Sequence, residues 1–322
     1  QCRVSRSRFE RLAPYLALLS EVFLFYHRVL FSPGYAIPYD LQSYHAPLAT
    51  LASKALGTMR LPLWDPYTYC GFPYFANIQT QLFYPPAWPG FFAAKLIGLQ
   101  HILRVLEWQL VLHVFLGGVF TFLLLRRLGL GRASAVFGAT IFQLGAYFTS
   151  QTQHLGAVCG AAWMPLTWQS VVELGARFQR RWLALLALSL SMTVLAGFPA
   201  VTIVAFACCG LLAAALVLTH QASRRLLFAV AVAGVWAMLV SAIALLPTVV
   251  LITWSSAASR GEWGGGGGMP LRALGSLLVP DWNGIFDLKT YKLPHNPTFL
   301  YLYCGLSGLV LAVAGIFTRR GA

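Results

Sequence analysis

Long apolar runs, set apart by short arginine clusters, constrain this chain more than anything else in it. A helix needs about 20 mostly apolar residues to cross a bilayer. Eight stretches meet or approach that length: 12–31, 105–125, 133–148, 155–172, 182–196, 200–218, 226–246 and 299–317. The fifth is short. It is either tilted less than the others or paired with the sixth as a hairpin around Gly197-Phe198-Pro199. Hydrophobic residues make up 58% of the 322 residues and charged ones 10%. A soluble chain of that size could not hide so much apolar surface. The expected fold is an all-α polytopic membrane protein, a single transmembrane domain over 1–322 with about eight transmembrane helices.

The arginines orient those helices. Arg3, Arg6, Arg8 and Arg11 precede the first run; Arg126, Arg127 and Arg132 lie between the second and third. Arg177, Arg180 and Arg181 follow the fourth, Arg224 and Arg225 the sixth, and Arg319 and Arg320 the eighth. With eight spans every cluster falls on one side, which the positive-inside rule makes cytoplasmic. The expectation is a multi-pass cell-membrane protein with both termini cytoplasmic. The formal charge of +14 would also suit nucleic acid. The basic residues sit between apolar runs as topology signals do, so no nucleic-acid partner is expected. The first run carries Glu21 and lacks a small-residue cleavage site, so it reads as a signal anchor.

Two long connections, 32–104 and 253–298, then face outward. They hold five of the nine acidic residues: Asp40, Asp65, Glu262, Asp281 and Asp287. The chemistry is expected on that exoplasmic face. Segment 60–86 is rich in Pro and aromatics and too polar to cross a bilayer. Irregular loops held by a rigid scaffold often carry function. The run Gly264 to Gly268 is a flexible linker or part of a lid.

The first of these connections carries a family pattern. Asp40-Leu41-Gln42 is followed by Leu61-Pro62-Leu63-Trp64-Asp65-Pro66, Gly71-Phe72-Pro73, Ala76-Asn77-Ile78-Gln79 and Phe83-Tyr84-Pro85. Further on come Trp163-Met164-Pro165-Leu166, Ala196-Gly197-Phe198-Pro199, Leu246-Pro247 with Ser259-Arg260, Val279-Pro280, and Tyr301-Leu302-Tyr303-Cys304-Gly305. In this order the chain resembles the YfhO family of bacterial membrane proteins, grouped with the GT-C glycosyltransferases. The resemblance implies a GT-C-like bundle with interfacial helices in its large first exoplasmic loop. It also implies a glycosyltransferase that moves a sugar from a polyprenyl-phosphate carrier to an exoplasmic acceptor, an envelope glycopolymer or glycolipid. Members are usually longer, so a missing C-terminal part is expected. Asp40 matches the family's catalytic acidic position.

A carboxylate suits that reaction, because it can take the acceptor's proton as the new bond forms. Asp40 is the candidate base, and alternatively the N-cap of an amphipathic interfacial helix. A divalent cation bridging Asp40 and the donor phosphate is chemically reasonable. Asp65, before Pro66, suits a turn and is also a substrate-binding candidate. In an extended segment Asn77, Gln79 and Gln81 would share a face and offer amides to sugar hydroxyls, or serve ordinary loop hydrogen bonding. Tyr67, Tyr69, Tyr74 and Tyr84 would stack on sugar, line a lipid portal or anchor at the interface. Arg260 would hold the carrier phosphate through its planar fork or contact lipid headgroups. His154, in the hairpin between the third and fourth runs, lines the site or is structural. Glu21 and Arg28 share a face of the first helix, and Glu107 can pair with Arg104. The six cysteines lack metal-site spacing. A lipid or sugar flippase and a non-enzymatic envelope assembly protein are the alternatives.

Overall fold

A computed structural model describes residues 8–256, 269–285, 289–291, 293 and 300–317. Among them the chain is helical, with one isolated bridge between Asp65 and Phe72. Helix α1 (Arg8–Phe31) leads to a π-turn (Leu41–His45) that continues into α2 (Ala46–Leu56). Short 3-10 turns at Tyr74–Ala76, Ile78–Thr80 and Pro85–Ala87 precede α3 (Trp88–Ile97). Then come α4 (Ile102–Arg127), α5 (Arg132–Gln143), α6 (Ala146–Ser150), α7 (Leu155–Ala161), α8 (Met164–Ala176), α9 (Arg180–Leu195), α10 (Pro199–Leu218) and α11 (Arg225–Thr253). A 3-10 stretch (Leu271–Leu277) and α12 (Leu306–Phe317) follow.

Among the described residues three helices are long and apolar enough to cross a membrane: Leu99–Arg127, Pro199–Leu218 and Arg225–Thr253. They suggest a membrane protein and correct the expectation of eight spans. The remaining runs fail for local reasons. The third breaks at Leu144-Gly145 into α5 and α6. The fourth breaks at Ala162-Trp163, with Pro165 opening α8. Helix α9 has 16 residues and α12 has 12. Helix α1 has the length, 24 residues, but Glu10, Arg11, Glu21 and Arg28 interrupt its apolar run.

Helix α4 is the hub. Its Leu106, Leu110 and Val114 are buried with Leu41, Tyr74, Tyr84 and Leu155. A second core joins α8 to α11 through Val171, Leu190, Ala205 and Ala233. Alanines at 205, 213, 233 and 237 let those helix backbones approach closely. The other faces of α10 and α11 expose Ile203, Leu211, Phe228, Trp236 and Leu239. An apolar area of that extent suits lipid rather than water. In a third cluster Leu18 of α1 meets Phe122, Ala135 and Ala139. Glu21 and Arg28 do not pair with each other: Glu21 faces α5, and Arg28 lies 5.6 Å over the Tyr35 ring.

Hydrogen bonds seat the 32–101 connection on the bundle. Buried Glu107 accepts from Ile37 N at 2.8 Å and pairs with Arg104 at 2.9 Å. Tyr74 Oη donates to Leu48 O and Thr248 Oγ1 to Ala76 O, both at 2.8 Å. This connection is therefore part of the core rather than a free surface loop.

Candidate functional site

Asp40 stands at the start of the π-turn and makes no capping bond there. Its carboxylate instead meets His154, with Oδ2 3.5 Å from Nε2. The imidazole is mostly buried and the carboxylate about half exposed, at 14% and 52% side-chain exposure. A proton acceptor open to solvent is thus backed by a sheltered imidazole. His154 Nδ1 lies 2.7 Å from Gln151 Oε1. With Nδ1 donating to that oxygen, the neutral ring turns the Nε2 lone pair toward Asp40. Burial lowers the His154 pKa, and the Asp40 charge opposes that shift.

The π-turn shapes the approach to this pair. It widens the helix, so residues five apart come to one side. Asp40 and His45 are five apart, and both interact electrostatically with His154. His45 is buried, and its pKa falls from 6.5 to about 4, first through burial and then through the charge of His154. Tyr44 Oη accepts from Asn77 Nδ2 at 2.8 Å. The turn between α9 and α10 forms the far wall, where the Phe198 ring lies 5.7 Å from the His154 ring.

Gly197 gives this wall its shape. Its φ is +86°, and a Cβ there would collide with Ile78 O and stand 3.0 Å from Gln79 Cα. Gln79 is thereby held against the residue preceding Phe198. Its own side-chain amide has no hydrogen-bond partner among the described residues.

The other expected site residues do different work. Asn77, Gln79 and Gln81 do not share an extended face, because Ile78–Thr80 is a 3-10 turn. Asn77 caps that turn by accepting from Gln79 N at 3.1 Å. Gln81 is buried at φ +55°. Its Nε2 donates to Ala196 O at 2.9 Å, and its Oε1 accepts from Gln109 Nε2 at 2.7 Å. Asp65 is buried in a turn, accepting from Tyr67 N at 2.9 Å and Thr68 Oγ1 at 2.6 Å. Tyr67 and Tyr69 are exposed, whereas Tyr74 and Tyr84 are fully buried. Arg260 and the glycine run 264–268 lie outside the described residues.

Two features had no clear sequence signal. His45 would leave the Asp40 side of a regular α-helix, so its spacing pointed elsewhere. The other is a buried relay centred on α4. His113 Nδ1 donates to Gln109 O at 2.7 Å, which makes Nε2 an acceptor. Tyr84 Oη donates to that Nε2 at 2.6 Å and accepts from Trp163 Nε1 at 2.8 Å. The spacing of Gln109 and His113, four apart on an apolar helix, was the one available hint.

Close to the pair lies a cavity of about 1010 Å³. Phe25, Tyr39, Ile141, Leu144, Gln153 and Tyr303 are among its walls. Tyr39 and Gln153 are the chain neighbours of Asp40 and His154. Among the described residues no group of three His, Cys, Asp or Glu side chains could share a metal ion, and the described cysteines are free. Compared with family models, curated proteins and solved structures, the chain matches none.

Proposed function

We infer that this protein transfers a sugar from a polyprenyl-phosphate carrier to an acceptor hydroxyl at the outer surface of a cell membrane. The pairing of Asp40 with His154 beside a large, mainly apolar cavity carries this reading. The sequence resemblance to the YfhO family supports it. The cavity suits an isoprenoid chain and leaves the sugar near the carboxylate. The acceptor oxygen attacks the anomeric carbon and gives its proton to Asp40. The bond from that carbon to the phosphate oxygen breaks, and the electron pair leaves with the carrier phosphate. His154 Nε2 then accepts a hydrogen bond from the protonated Asp40, which favours proton uptake. Gln79 and Phe198 supply an amide and a ring face to the sugar, and Arg260 supplies charge for the phosphate.

In this reading the 32–104 connection faces outward. The test is sugar transfer from a radiolabelled polyprenyl-phosphate glucose in membranes containing the full chain. Loss of transfer in Asp40→Asn at matched expression supports the reading; full transfer in that variant overturns it.

A further inference from the structure

Glu21 lies in the middle of α1 and turns toward α5. Its Oε2 accepts two hydrogen bonds, from Thr140 Oγ1 at 2.7 Å and from Gln143 Nε2 at 2.9 Å. Oε1 has no partner among the described residues. Gln143 Nε2 also donates to Leu18 O at 3.2 Å. The Gln143 side chain is fully buried, and its Oε1 makes no hydrogen bond, although it is packed against Gly118 of α4. A hollow of about 610 Å³ runs beside this cluster, lined by Glu10, Glu21, Arg132, Val136, Phe137 and Thr140. It gives a small ion a way in.

We propose that Glu21, Thr140, Gln143 and the Leu18 carbonyl form a binding site for a sodium ion between α1 and α5. The cluster offers hard oxygen donors, which suit an alkali cation. A half-turn of the Gln143 amide exchanges its nitrogen for its oxygen. Oε1, buried and unpaired as it stands, then joins Glu21, Thr140 Oγ1 and Leu18 O around the ion. A buried acceptor without a partner is unusual; cation binding gives this one a role, and the half-turn leaves the amide nitrogen in its place beside Gly118. Charge selects the class of ion. One carboxylate balances a monovalent cation, whereas a divalent ion would leave an uncompensated charge in an apolar setting. An ionisable group within a helical bundle of a membrane protein commonly marks an ion path. The site does not depend on the proposed sugar transfer.

Dicyclohexylcarbodiimide, an apolar reagent that modifies protonated carboxyl groups, reads the site directly. The purified full chain in detergent is treated at fixed pH and ionic strength, in sodium chloride or choline chloride, and Glu21 modification is followed by peptide mass spectrometry. With sodium at ten times its dissociation constant, modification slows about tenfold. Gln143→Leu remains reactive and loses that protection. Sodium also raises the unfolding temperature of the unmodified protein, and Glu21→Gln abolishes the rise. This second measurement stands if Gln143→Leu fails to fold. Equal modification in both salts, with an unfolding temperature indifferent to sodium, overturns the proposal. Modification that responds to pH and not to sodium also overturns it, leaving Glu21 a proton site.

Discussion

Gly197 packs directly against the main chain at Ile78 and Gln79, in a conformation that only glycine adopts without strain. This contact joins the loop bearing Gln79 to the wall bearing Phe198. Gly197→Ala would meet two penalties, the positive φ and the collision with Ile78 O. A loss of about 1–3 kcal/mol is expected, seen as a lower midpoint in detergent unfolding. An unchanged midpoint would mean that the two segments separate freely.

The relay centred on Tyr84 predicts a different response. Tyr84→Phe removes one oxygen and leaves the Trp163 N–H and His113 Nε2 without their shared partner. Unsatisfied buried groups cost about 1–3 kcal/mol each. The variant should therefore lose clearly more stability than a ring-preserving change at exposed Tyr67, Tyr67→Phe. Equal midpoints for the two variants would show that the Tyr84 hydroxyl contributes nothing.

His45 should make the fold sensitive to acid. Its folded pKa, about 4, lies below the ordinary 6.5, so the unfolded chain binds the extra proton. Stability is then fully present above pH 6.5 and falls as the pH drops toward 4, by about 3 kcal/mol if no rearrangement relieves it. His45→Gln should flatten that part of the stability profile. Parallel profiles for the two proteins would remove His45 as the cause.

Much of the helical architecture was legible because apolar runs report burial in either lipid or protein. The same property concealed the number of spans. Runs 133–148 and 155–172 are apolar enough for a bilayer, yet each is two helices meeting near glycine or proline. Hydropathy records no such breaks. Asp40 and His154 could each be singled out as polar groups in short connections. Their pairing depends on a tertiary contact across more than a hundred residues, which no local pattern carries. Gln81 misled for the opposite reason: a loop glutamine resembles a ligand-binding group until the carbonyl of Ala196 is seen to take its amide.

The Asp40–His154 pair makes the sharpest functional prediction. Asp40→Asn keeps the size of the side chain and disturbs no cap, because Asp40 makes no capping bond. It removes the proton acceptor, so transfer should fall by about 10²-fold or more with the unfolding midpoint nearly unchanged. His154→Gln leaves the carboxylate in place and removes its sheltered partner, so a smaller loss is expected. The pH profile separates that role from simple support of the fold. Burial lowers the His154 pKa below the ordinary 6.5, so the ring is neutral at pH 7 and becomes protonated only on further acidification. Protonation removes the Nε2 lone pair that receives the hydrogen bond from Asp40. Wild-type transfer should therefore hold through neutral pH and decline below 6.5, while the His154→Gln profile loses that particular decline. Retention of the same acid limb in His154→Gln would assign it to another group and leave His154 a wall of the site.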